Sequence, residues 1–349
     1  MHATRLILTL ATFLLSTLAG LARAVTIDWV TVGDPGNAAD TTGYGAVAEG
    51  FRIMTYEWTN SQYVEFLNAV DPDGLDPQDI YSNNMRFTAR GGISFTSGNS
   101  PGSKYAARTN MGDKPVNYVS WFDAARVANW LHNGGLTYGT TDSSASAPQN
   151  TGAYTLGTAT SGTAFTRNSD AQYFLPTEDQ WYKAAYYKGN GTNAGYWDYA
   201  TQSDTAPTAV TSGTTGIGSA STGTIGSGTG NFANFNFAAD WNGQDGNVTT
   251  VGTNGGPSAY GAFDMSGNVW EWNEALSDST RGLRGGNWFN PAFNLSSSSR
   301  ITDDPSLEFN GTGFRLASPV PVPEPSTWVM GLAGLACAGW GTYRRRKLA

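Results

Sequence analysis

The stretch AYGAFDMSGNVWEWNEALSDSTRGLRGGNWFN, Ala259 to Asn290, mixes aromatic and turn-forming residues, and the rest of the chain is read outward from it. Glu271 stands between Trp270 and Trp272. The run continues as RGGNWFNPAFNLSSSSR, Arg284 to Arg300. Gly285 and Gly286 free the backbone, Trp288 and Phe289 follow, and serines close it. This second part holds no cysteine, histidine or carboxylate, so it reads as a surface that grips or packs more than one that reacts.

Upstream, three helices are marked by their first turns. Thr59-Asn60-Ser61-Gln62 has the spacing of a capping box, and Tyr63, Phe66, Leu67 and Val70 then recur at helical period. Ser120 opens a second helix, with Ala124, Val127, Ala128 and Leu131 on its inner face. Thr177, after Pro176, opens a third, with Trp181, Ala184 and Ala185 facing inward. Gly, Ser and Thr dominate 137–166 and 201–230, which are expected to be exposed loops with some local strands. Ten tryptophans outside the two end segments point to a core or pocket built of large flat rings.

Both ends read as addresses. Residues 1–24 combine Arg5, an apolar run and Ala22-Arg23-Ala24, which predicts a signal peptide cut after Ala24. At the other end, Pro323-Glu324-Pro325 precedes an apolar segment, 328–343, and then Arg344, Arg345, Arg346 and Lys347. The segment is short for a transmembrane helix, but the basic end suits a tail held at the cytoplasmic face. Setting aside the six basic residues of the two ends and Glu324 leaves 14 basic and 27 acidic side chains, a charge of about −13. That argues against nucleic acid or anionic membrane as a partner. The single cysteine, Cys337, lies in the tail, so the domain from 25 to 319 has neither a disulfide nor a thiol nucleophile.

The blocks PVNYVSWFDAARVANWL (115–131), YFLPTEDQWYKAAYY (173–187), GAFDMSGNVWEW (261–272), RGGNWF (284–289) and GFRLA (313–317) resemble, in order and spacing, the formylglycine-generating enzyme family, also called the sulfatase-modifying factor domain. The resemblance implies an α+β, C-type-lectin-like fold, low in regular secondary structure and long in loops. The end of the chain resembles the PEP-CTERM sorting signal. That implies recognition by an exosortase, transient membrane anchoring through residues 320–349, and export to the cell surface or extracellular matrix.

The family's enzymes oxidise a sulfatase cysteine with copper held by two cysteines placed just after the Gly-Gly-aromatic block. Those positions here are Asn290 and Leu295. Neither is a soft donor for copper(I), so no copper is expected. His132 alone cannot build the multi-histidine iron site of related branches, so no iron is expected either. Glu271 with Glu274, or Asp303 with Asp304, could in principle divide acid and base roles, but Glu271 matches the family's structural core.

The resemblance does imply structural calcium. One set would be Asp264 with Met265, Gly267 and Val269; the other would be Asn234 and Phe235 with Asp245 and Asn247, hard oxygen donors on Asx- and Gly-rich turns. The family's substrate groove would run past Asn287, Trp288, Asn290, Asn294, Leu295 and Ser297, where rings beside amides and hydroxyls suit sugars or peptide backbone. Arg284 and Arg315 are expected to be scaffold. Three functions stay open: a non-catalytic surface or matrix module binding extracellular polysaccharide or a surface protein, an oxidoreductase-type enzyme in the same groove, and a glycosylated structural biofilm protein.

Overall fold

A computed structural model describes residues 25–321. The signal peptide with Ala24, the Pro323-Glu324-Pro325 motif and the apolar segment 328–343 lie outside the described residues. Among the described residues no helix is long and apolar enough to cross a membrane.

All three expected helices form, each started by the residue that marks it. In α1 (Asn60–Val70) the Thr59 hydroxyl accepts the Gln62 N–H while Gln62 Oε1 accepts the Thr59 N–H at 2.9 Å. A short α2 (Asn83–Phe87) follows. In α3 (Trp121–His132) Ser120 and Asp123 close the same reciprocal pair, and in α4 (Glu178–Tyr186) Thr177 and Gln180 do. Satisfying the first-turn N–H groups in this way fixes where each helix begins. The apolar stripes of α1 and α3 then pack together, with Phe66 against Trp130 at 5.6 Å between ring centres.

The strands are short. β1 (Trp29–Val32) and β2 (Phe51–Met54) pair antiparallel in a three-stranded sheet of order β1-β2-β11, where β11 is Ala317–Pro319. β3 (Ile93–Phe95) pairs with β4 (Tyr105–Ala107), and β5 (Thr208–Ala209) with β6 (Phe232–Ala233). The central sheet is β7 (Trp270–Ser277), β8 (Thr280–Arg284), β9 (Ile301–Asp303) and β10 (Thr312–Gly313), in the order β10-β7-β8-β9. Its register sets Glu271 opposite Arg284 on one side and Gly313 on the other. The core around it is aromatic: Trp58, Trp121, Trp181 and Trp272 are fully buried.

The two Gly/Ser/Thr-rich segments are mostly exposed loops with a local strand, anchored at a few points. In the first, Tyr154 and Leu156 enter the main core. In the second, Thr208–Ala209 is a strand, Gly213 donates to Ile217, and Thr250 donates to Gly216. Gly216 lies so close under Trp241 that a Cβ there would meet the ring at 2.4 Å. Small residues allow that approach, so composition that reads as disorder here serves close packing.

Candidate functional site

The Gly-Gly-aromatic stretch rests on two buried ion pairs. Arg315, fully buried, forks onto Glu271 with two bonds of 2.7 Å and also donates to the carbonyls of Met54, Thr55 and Phe263. Arg284 pairs with Glu178 at 2.7 Å and holds the carbonyls of Ser297 and Ser299. Arg300 reaches the same Glu178 from outside. These planar, bidentate contacts are what arginine does better than lysine. Both Arg284 and Arg315 are scaffold in this arrangement.

Gly285 and Gly286 both take positive φ, and a Cβ on Gly286 would press on Leu295 at 2.8 Å. The turn therefore draws 290–296 tightly inward. Asn287 is buried, with its amide donating to the Gly311 carbonyl and its Oδ1 accepting the Phe289 N–H. Trp288 is buried as well, donating to the Asn310 carbonyl and capped by the Arg90 guanidinium 4.4 Å from its ring centre. Leu295 packs against Ala233 and Phe235. Ser297 is buried, its N–H bound to the Asp198 carbonyl.

Four of the six expected groove residues, Asn287, Trp288, Leu295 and Ser297, are thus buried in this structure. Asn290 and Asn294 remain half-buried, beside Phe289 and the exposed Phe293. Asn290 Oδ1 accepts the Asn287 N–H, so part of its amide is already engaged.

The donors do not fit copper. Asn290 offers only an amide, Leu295 is hydrocarbon packed on hydrocarbon, and the described residues contain no cysteine. His132 ends α3, where its Nδ1 accepts the Gln172 N–H. Glu274 takes the Tyr154 hydroxyl at 2.6 Å and faces Arg167, a core pairing and not an acid–base dyad.

In the first calcium set both carboxylate oxygens of Asp264 accept hydrogen bonds. Asp264 holds φ of 57°, and its carboxylate accepts the Gly252 N–H at 2.5 Å and the Asn254 amide at 3.0 Å. A cavity of about 10 Å³ adjoins it, lined by Asp264, Met265 and Asn254 among others, about the room one small guest requires. Glu57 lies in the same charge cluster. It is fully buried, accepts from the Asn268 amide and the Val269 N–H, and its carboxyl is pushed well above the usual range by burial and then by Asp264 and Glu271. Three buried carboxylates therefore share one guanidinium, that of Arg315. Still, among the described residues no three acidic or histidine side chains converge as a ready metal cage. A cation at Asp264 would have to draw on backbone carbonyls.

The second set is only partly assembled. Asn234 donates to the Asn247 carbonyl at 2.8 Å, and its own Oδ1 is buried without a partner. The Phe235 carbonyl accepts the Ala238 N–H. Asp245 is exposed, and its carbonyl is what Arg90 holds. The structure brings Asn234 and Asn247 together but leaves the one charged donor at the surface.

Residues 34–320 match the family described as the sulfatase-modifying factor enzyme 1-like domain. The chain belongs to that family. Its α+β architecture with little regular structure is the one the sequence blocks implied. Residues 321–347 match the PEP-CTERM protein-sorting motif, which implies recognition by an exosortase, export and a membrane-anchored precursor.

Among solved structures, this sulfatase-modifying-factor chain is similar to CarF, at 22% identity over 85% of this chain and 99% of that one, with a TM-score of 0.45. It is similar to Treponema denticola variable protein 1, at 16% identity over 86% and 100%, with a TM-score of 0.44. It is similar also to PvdO from Pseudomonas aeruginosa, at 18% identity over 85% and 93%, with a TM-score of 0.41. No curated protein matches the chain.

Sequence reasoning missed Glu57. The signal was available, since Glu57 lies between Tyr56 and Trp58 just as Glu271 lies between Trp270 and Trp272.

Proposed function

We propose that this is an exported, non-catalytic member of the sulfatase-modifying factor family, acting as a binding module at the cell surface or in the extracellular matrix. Its partner in this reading is extracellular polysaccharide or a surface protein, met by the rim of Asn290, Asn294, Phe289 and Phe293. The observation that carries the reading is the fate of the copper position: Leu295 is buried against Ala233 and Phe235, and Asn290 is tied to Asn287. A site packed in this way has no thiolate to bind metal or to exchange with a substrate cysteine. Flat rings beside amides on a fixed core suit recognition.

The reading includes a structural calcium held by Asp264 with carbonyl oxygens of Met265, Gly267 and Val269. Supporting it are the excess of buried carboxylate around Arg315 and the small cavity beside Asp264. The second set, Asn234 with Phe235, Asp245 and Asn247, is the weaker candidate because Asp245 faces out.

The test uses the domain 25–319 and polysaccharide extracted from the producing cells, with calcium and again with EDTA. Saturable binding that Asn290→Ala weakens supports the module. Turnover of a cysteine peptide by the copper-treated domain sinks the non-catalytic reading. An unchanged melting temperature in EDTA sinks the calcium.

A further inference from the structure

Away from the Asn290 rim, the second Gly/Ser/Thr-rich segment forms the wall of a cleft. Two adjoining cavities of about 640 and 230 Å³ share Ser61, Asp113 and Ile225, and the larger falls within the range of small-ligand sites. One wall is the turn from Thr215 to Ile225, and the other is the chain around Asp28 and Tyr56. The wall is built, not draped. Lys114 donates to the Thr215 carbonyl and the Thr250 hydroxyl, both at 2.7 Å, with its ammonium 4.9 Å from the Trp241 ring centre. Val251 donates to the Asp113 carbonyl, and Gly228 to that of Gly252.

The chemistry of the lining is specific. Lys114 is buried, and its donors are occupied by two oxygens and a ring, so it is a latch and offers nothing to an anion. Asp28 and Asp113 are exposed, and among the described residues neither carboxylate forms an ion pair or accepts a hydrogen bond. The cleft is also lined by the small hydroxyl residues Thr26, Ser61 and Thr224, by the apolar Ile217, Ile225 and Val251, and by Tyr56, whose ring packs on Phe263 at 5.6 Å. Short hydroxyls match the hydroxyls of a polyol, and carboxylates without an ion-pair partner call for positive charge. A basic peptide would meet the carboxylates and the apolar side chains of Ile217, Ile225 and Val251, and trilysine is the probe that separates it from an amino sugar. An acidic glycan would be repelled, the more so by a domain of about −13.

We propose that this cleft binds a sugar chain bearing free amino groups, with Asp28 and Asp113 as the amine partners and the hydroxyls of Thr26, Ser61 and Thr224 as partners for its own hydroxyls. The proposal extends the binding-module reading to a second site, and it fails separately from the Asn290 rim.

The test is titration calorimetry of the domain 25–319 with four probes: a glucosamine trimer, its N-acetylated form, a galacturonate trimer and trilysine. The glucosamine trimer is expected to bind saturably and about tenfold or more tighter than the acetylated form, with affinity falling as salt rises. Asp28→Asn with Asp113→Asn should remove that advantage. Thr224→Trp, an exposed position at the cleft mouth, should abolish binding with the melting temperature unchanged, while Asn290→Ala leaves it intact. The proposal is overturned if no glucosamine binding is seen, or if Thr224→Trp has no effect on it. Equal binding of the acetylated trimer, the galacturonate trimer or trilysine overturns it too. Loss with Asn290→Ala but not with Thr224→Trp would return the sugar to the rim and leave the module reading standing.

Discussion

At the scale of single residues, the deciding feature is how the buried charge of Arg315 is used. Arg315 makes two bonds to Glu271 and three to backbone carbonyls. Replacing Glu271 with Gln removes the carboxylate that takes both side-chain bonds from Arg315 and breaks a fully buried pair, which costs about 3–5 kcal/mol even with Asp264 and Glu57 nearby. Urea denaturation of Glu271→Gln should show a loss of that size. By contrast Asp245→Asn changes an exposed side chain that bonds through its carbonyl, and should move stability by about 0.5 kcal/mol or less. A larger effect at Asp245 in the presence of calcium would instead place that carboxylate on a metal. Leu295 belongs to the same argument: its residue type names the loss of a copper ligand, while its burial explains why nothing else can use the position.

At the scale of elements, the helices were legible because their signals are local. Thr59 with Gln62, Ser120 with Asp123, and Thr177 with Gln180 sit three residues apart, and each pair closes a capping box. Thr177→Ala should therefore cost about 1 kcal/mol, read by urea denaturation. The groove was less legible, since nothing in RGGNWFN says which way its side chains turn. The positive φ of Gly285 and Gly286 settles that by folding Asn287 and Trp288 inward. The segment 201–230 was legible as exposed loop with a local strand, but not its close packing. Low apolar content predicts exposure when side chains bury surface, but at Gly216 it is the absence of a side chain that lets Trp241 approach. Lys114 and Asp113, which frame the cleft, come from a loop of no particular pattern and meet residue 215 only in the fold.

At the scale of the whole molecule, the balance of charge gives a pH dependence opposite to ordinary acid denaturation. Burial pushes Asp76 up to about 6, Asp123 up to about 7 and Glu308 up to about 8, with Asp123 adding to the rise at Glu308. Against these stand the lowering bonds from Ile80 and Tyr81 to Asp76, from Ser120 to Asp123 and from Ser82 to Glu308, together with the charge of Arg126 near Asp123. Each carboxyl binds its proton more tightly folded than unfolded. The folded state therefore holds more protons between about pH 4 and pH 8, and stability must fall as pH rises through that window. The melting temperature should be higher near pH 5 than at pH 8, and Glu308→Gln should flatten the upper part of the decline. Surface repulsion in a domain of about −13 has the same sign, so salt separates the two sources. Near 1 M salt the Debye length shrinks to about 3 Å and exposed repulsion is screened, whereas buried groups feel little of it. A decline that persists in high salt and is reduced in Glu308→Gln belongs to the buried cluster. One that vanishes with salt alone belongs to the surface, and would mean that these three carboxyls titrate much as they do in the unfolded chain.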